Sequence, residues 1–141
     1  MESKGPSAER SILFICTHNS ARSQMAEGMV NRYLKGRYHA ESGGTRPSRV
    51  NPYAISVMKE LGIDISKARS KSIKSFEGRD FDYVVTVCSD AAEICPFFPG
   101  REHIHQGFRD PSLAKGSEEQ ILKVFRASRD EIRAWIEGQF R

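Results

Sequence analysis

At 141 residues, with 38% hydrophobic and 28% charged residues, the chain has the length and composition of one soluble globular domain and is too short for two. Its net charge of +4 comes from basic residues scattered along the sequence, which gives weak support for an anionic ligand and poor support for nucleic acid, since a basic stripe with interleaved aromatics is missing. No apolar run approaches the ~18 residues of a membrane span. The polar start lacks the apolar stretch of a secretory signal, and an odd number of cysteines argues against a disulfide framework, so reduced thiols in the cytoplasm are expected.

Residues 1–10 are polar, contain Gly5 and Pro6, and are expected to form a flexible tail ahead of a single domain at 11–141. The apolar run Ser11 to Cys16 is too short for a helix and suits a buried parallel strand. From Ser23 onward Met25, Ala26, Met29, Val30, Tyr33 and Leu34 recur at helical spacing, and Gly36 marks the stop. A second strand is predicted at Tyr38 to Ser42, with Gly43, Gly44 and Pro47 marking a loop. Asn51 then caps a helix that has Pro52 at its first position, Ile55, Met58 and Leu61 on one face, and Gly62 at its end.

Ser70 to Arg79 reads as a loop or short helix, and Tyr83 to Val87 as a buried strand that delivers Cys88 at its end. A shorter strand follows near His103 to His105. Ser117 and Gln120 form a capping-box pattern that opens a long final helix with Ile121, Leu122, Phe125, Ile132 and Ile136 on one side. Alternating strands and helices predict an α/β three-layer sandwich, a four-stranded parallel sheet with helices on both faces. Ligand sites in such folds lie beyond the carboxyl ends of the strands, where Cys16 and Cys88 both stand.

Between the first strand and its helix lies Cys16-Thr17-His18-Asn19-Ser20-Ala21-Arg22-Ser23. A loop of this length, wrapping from a strand end into a helix start, can turn successive backbone N–H groups inward around a tetrahedral oxyanion. Arg22 would close the ring with two parallel donors. Cys16 would sit beneath the anion, near the positive end of the helix dipole and a guanidinium, surroundings that favour the thiolate. Ser23 can donate a further hydrogen bond to that sulfur, and Asn19 can brace the loop or accept a left-handed backbone. Taken alone, a cysteine and an arginine six apart also fit a buried strand-end cysteine. The strand before the loop and the helix after it favour chemistry.

The literal segment CTHNSARSQMAEG, residues 16–28, closely resembles the active-site loop of the low-molecular-weight protein tyrosine phosphatase superfamily, and especially of its thioredoxin-coupled arsenate reductases. The resemblance runs from about Ser11 to the C-terminus. It implies a nucleophilic Cys16, arsenate held by the backbone of Thr17, His18, Asn19, Ser20, Ala21, Arg22 and Ser23, and Asp110 of the Asp110-Pro111 pair as general acid. Phosphatases of the superfamily usually carry tyrosines soon after that pair. Here Ser112, Leu113, Ala114 and Lys115 follow, and no tyrosine occurs after Tyr83, a departure that favours a small inorganic oxyanion.

A phosphatase needs one cysteine, whereas reducing arsenic(V) takes two electrons and a second thiol. The resemblance implies Cys88 as that thiol, 72 positions after Cys16 as the family's spacing requires, and Cys95 as a third that attacks Cys88 by thiol–disulfide exchange. Thioredoxin would be the electron donor, with no bound cofactor or metal and no nucleic-acid or membrane partner. A helix from Cys88 to Cys95 would separate them by ~10.5 Å, beyond the reach of a disulfide, so the segment is expected to be compact when reduced and looped out when oxidised. Some reductases of this family bind potassium beneath the loop through residues resembling Asn19, Glu27 and Ser42. Arg69 and Lys71 break the rest of that pattern, and Lys71 is expected to pair with Glu27 instead of an ion. The alternatives are a phosphatase acting on phosphotyrosine or small phosphoesters with Cys16, Arg22 and Asp110, and a noncatalytic thiol sensor or oxyanion-binding module.

Overall fold

The computed structural model describes residues 9–88 and 97–140. Four parallel strands, β1 (Arg10–Cys16), β2 (Tyr38–Gly44), β3 (Tyr83–Thr86) and β4 (Glu102–His105), lie in the order β2-β1-β3-β4. With β1 central, its side chains alternate between two apolar layers, as the two-residue period of a strand demands. Ile12, Phe14 and Cys16 enter a layer formed with α1 (Arg22–Tyr33), α2 (Pro52–Lys59) and α3 (Glu118–Gln139). Leu13 and Ile15 face a smaller layer of Phe76, Phe81, Val84 and Phe98, covered by a 3-10 helix at Ile73–Phe76. Among the described residues, helical cover is therefore present on both faces and unequally shared: three α-helices on one side and the 3-10 helix at Ile73–Phe76 on the other. No helix among the described residues is long and apolar enough to cross a membrane.

The predicted caps form. Asn51 accepts from the Tyr53 N–H at 2.8 Å with Pro52 at the first helical position. Ser117 and Gln120 exchange both bonds of the capping box, at 3.2 and 2.8 Å. Each satisfies amides that a helix start would otherwise leave open. Helix α1 differs: Ala21 at its N-cap supplies no side-chain bond and its first turn carries no acidic residue. Its open end faces the loop that follows β1.

Two expected boundaries move. Arg10, assigned to the tail, is the first residue of β1, paired with Tyr38 and donating its N–H to the Arg37 carbonyl at 3.0 Å, while Glu9 accepts from the Gly36 N–H at 2.9 Å. Strand β2 also continues through Gly43 and Gly44, which were expected in a loop. Gly44 pairs with Cys16, where a Cβ would lie 2.5 Å from the Thr17 carbonyl oxygen and 2.7 Å from that of Cys16. Glycine here serves close backbone approach rather than a turn. Residues 89–96, with Cys95 and most of the segment expected to rearrange on oxidation, lie outside the described residues.

Candidate active site

Residues 16–22 wrap from the carboxyl end of β1 into the start of α1, and the outer side of the wrap is stitched to residues 46–51. The Thr17 carbonyl accepts from Arg46 N–H at 2.9 Å, that of His18 from Ser48 N–H at 3.3 Å, and that of Ser20 from Asn51 N–H at 3.0 Å. In a trans peptide the carbonyl of one residue and the N–H of the next point in opposite directions. Outward carbonyls at positions 17, 18 and 20 therefore turn the N–H groups of His18, Asn19 and Ala21 inward. Asn19 takes the left-handed conformation at φ 49°, which an Asn side chain tolerates better than most.

The direction of each hydrogen bond beneath the loop follows from the donors available. Asn19 Nδ2 donates to Ser23 Oγ and to Ser42 Oγ, both at 2.9 Å. Ser42 donates its only hydrogen to Glu27 Oε1 at 2.6 Å. Ser23 Oγ lies 2.8 Å from Cys16 Sγ, and because Asn19 does not take the hydroxyl hydrogen, that hydrogen is available to the sulfur when Cys16 is a thiolate. A buried sulfur beside such a hydroxyl has a hydrogen-bond donor within reach, as attack by a thiolate would require. On its other side Asn19 Oδ1 accepts from the Lys71 N–H at 2.7 Å and from Gln24 Nε2 at 3.0 Å.

Arg22 is almost wholly buried. Its Nη1 donates to the Phe108 carbonyl at 3.0 Å and more weakly to that of Val87 at 3.4 Å, while Nη2 lies 3.5 Å from Asp110 Oδ2. The guanidinium thus ties the anion loop to the ends of β3 and of the strand after it. Asp110 caps a 3-10 helix at Pro111–Leu113: its Oδ1 accepts from Ser112 N–H at 3.0 Å and Ser112 Oγ at 2.7 Å, leaving Oδ2 beside Arg22. A cavity of about 260 Å³ opens over the loop, with Cys16, Arg22, Ser48, Asp110 and Ser112 in its wall. Leu113, in the segment that follows Pro111, is 67% exposed.

A match to the low molecular weight phosphotyrosine protein phosphatase family model spans residues 11–138. The chain belongs to that family. Within it, the chain is 47% identical over 122 residues to an arsenate reductase of Halalkalibacterium halodurans, covering 86% of this chain and 88% of that protein. It is 46% identical over 122 residues to an arsenate reductase of Bacillus subtilis, with the same coverage. A solved structure described as an arsenate reductase in the phosphate binding state superimposes with a TM-score of 0.77 at 33% identity, covering 92% of this chain and 95% of that one.

For this family member the structure brings Cys16, Arg22 and Asp110 to one cavity. Cys88 is buried two positions beyond the last paired residue of β3, whose register sets Thr86 against Ile15 and so carries Cys88 to the same end of the sheet. Glu27, Ser42 and Lys71 gather below the loop, with Lys71 Nζ 3.8 Å from Glu27 Oε1 and 2.9 Å from the Arg69 carbonyl. Burial pushes the Glu27 carboxyl above its ordinary range, while the Ser42 hydrogen bond and the Lys71 charge pull it back. His18 is exposed, its Nδ1 3.1 Å from the Arg46 carbonyl.

Sequence reasoning missed three supports. Gln24 Nε2 bridges Asn19 Oδ1 to the Arg69 carbonyl, Ser70 Oγ donates to the His18 carbonyl at 2.8 Å, and Gly44 makes room for the loop. Only the paired glycines after Ser42 could have signalled any of these, and two adjacent glycines ordinarily read as a loop.

Proposed function

We propose that this protein reduces arsenate to arsenite through a relay of Cys16, Cys88 and Cys95, regenerated by thioredoxin. The observation that carries the reading is the 2.8 Å contact between the Ser23 hydroxyl and a buried Cys16 at the floor of an anion loop, in a chain whose relatives of 47% and 46% identity are named arsenate reductases. Arsenate is held by the inward amides and Arg22. Cys16 Sγ attacks arsenic, an As–O bond breaks, and the departing oxygen takes a proton from Asp110, whose Oδ2 is left over from the Ser112 contacts. The thiolate of Cys88 then attacks Cys16 Sγ; the S–As bond breaks and its electron pair stays on arsenic, which leaves as arsenite. Cys95 attacks Cys88 in turn, freeing Cys16 as a thiolate and leaving a Cys88–Cys95 disulfide for an external dithiol.

Two electrons enter arsenic and two thiols become one disulfide, so the balance closes without a bound cofactor. A phosphatase reading uses the same Cys16, Arg22 and Asp110 but gives Cys88 and Cys95 no role, and it lacks an aromatic wall after Pro111. The test is a set of serine variants assayed for arsenate-dependent thioredoxin oxidation and for phosphoester hydrolysis. Cys16→Ser is expected to abolish both, while Cys88→Ser and Cys95→Ser lose the reductase activity alone. Full thioredoxin-coupled turnover by Cys95→Ser would remove Cys95 from the relay.

A further inference from the structure

Basic residues that are scattered along the sequence do not stay scattered in the fold. The segment stitched to the anion loop contains Arg46 and Arg49, on either side of Ser48, a wall residue of the cavity. Another part of the wall is Asp110, and Arg109 immediately precedes it. Adjacent Cα atoms are 3.8 Å apart, so the backbone of each of the three arginines lies within two residues of the cavity wall, at a separation comparable with the ~10 Å over which charge is felt at 0.1 M salt. All three are exposed.

Several arginines elsewhere on the surface are ion-paired, although Arg32 and Arg37, like these three, have no carboxylate within ion-pair distance among the described residues. Arg79 is paired with Glu41, Arg126 with Glu60 and Glu119, and Arg133 with Glu137. Among the described residues, Arg46, Arg49 and Arg109 have no carboxylate within ion-pair distance. The one carboxylate in the cavity wall, Asp110, is already engaged by Ser112 and Arg22. Among the described residues, the charges that flank the wall in sequence are therefore positive and without an ion-pair partner, beside a low-dielectric floor that strengthens their field.

We propose that Arg46, Arg49 and Arg109 form a cationic collar that draws a tetrahedral oxyanion dianion into the cavity. The inference rests on the reading of that cavity as an oxyanion site. The collar acts through its field rather than through fixed hydrogen bonds, and so differs from Arg22, which is buried and geometrically locked.

Calorimetric titration of the full-length chain with inorganic phosphate, from low to high ionic strength, tests this on Arg46→Gln, Arg49→Gln, Arg109→Gln and the triple variant. Each single change is expected to weaken phosphate binding about threefold at low salt, the triple change by more than about tenfold, and the gap to the parent protein should close as salt screens the field. Arg46→Lys should retain the parent behaviour. A salt dependence identical in the parent and the triple variant would overturn the collar, as would a deficit that persists unchanged at high salt, the mark of local misfolding. Lysine proving as harmful as glutamine would do the same, since a field does not distinguish them. If the parent protein fails to bind phosphate at every ionic strength, the oxyanion-site reading fails and the collar with it.

Discussion

The hydroxyl of Ser23 is the smallest group on which the chemistry of the site depends. Its oxygen accepts from Asn19 Nδ2, and its own hydrogen is available to Cys16 Sγ 2.8 Å away. Removing it in Ser23→Ala deletes a charge-assisted bond worth ~1.5 kcal/mol, so alkylation of Cys16 by iodoacetamide at pH 7 should slow about tenfold, and because Asn19 Nδ2 also loses a buried acceptor the melting temperature should fall by a few degrees. An unchanged alkylation rate would show that the thiolate is held by the amides and the helix alone. Lys71 offers a second test at this scale. Its ammonium stands 3.8 Å from the Glu27 carboxylate, where a bound cation would have to compete with it. Exchanging sodium for potassium at constant ionic strength should change turnover by less than roughly twofold; strong stimulation by potassium would mean that Lys71 does not replace the ion.

Between elements, the junction of α2 and α3 carries the clearest pH dependence. Glu60, just past the end of α2, accepts from Arg126 Nε at 3.1 and 3.0 Å and from Arg129 Nη1 at 2.8 Å. Hydrogen bonding from Arg126, with a smaller share from Arg129, holds its carboxyl below the ordinary value of 4.5. A depressed carboxyl stabilises the fold above that ordinary value and loses the contribution as pH falls through its depressed one. Glu60→Gln should therefore melt a few degrees below the parent at pH 7, with the difference shrinking as the pH drops below about 4.5. The effect is modest because Glu60 is 40% exposed and screened by solvent. A gap that stays constant down to pH 3 would assign the loss to packing. The elements themselves were largely legible: strand runs of four to six apolar residues, an Asn-Pro helix start and a capping box each declare themselves locally. Gly43 and Gly44 misled, because a strand that must approach another backbone uses the same residue as a turn.

For the molecule as a whole, the relay proposed above would need parts far apart in sequence to exchange sulfur bonds in order. The disulfide between Cys88 and Cys95 cannot form across a continuous helix, since seven residues of helix rise ~10.5 Å and a disulfide needs Cα atoms about 4.4 to 6.8 Å apart. Hydrogen exchange across residues 88–96 should accordingly be faster in the oxidised protein than in the reduced one. Equal protection in both forms, with the Cys88–Cys95 bond verified by mass spectrometry, would refute the rearrangement.

The sequence by itself determined the order of elements, the caps of α2 and α3, and the eight-residue anion loop, because each depends on short-range periodicity or on a motif contiguous in the chain. It also placed Asn19 and Ser23 in support of Cys16, since both are within seven residues of it. Tertiary structure alone decided which carbonyls hold Arg22, why Gly44 admits no side chain, that Gln24 bridges Asn19 to Arg69, and that residues 46–51 close against the loop whose cavity Asp110 also lines. Those contacts join residues separated by as many as 86 positions, and nothing local in a chain records which distant backbone will close against it.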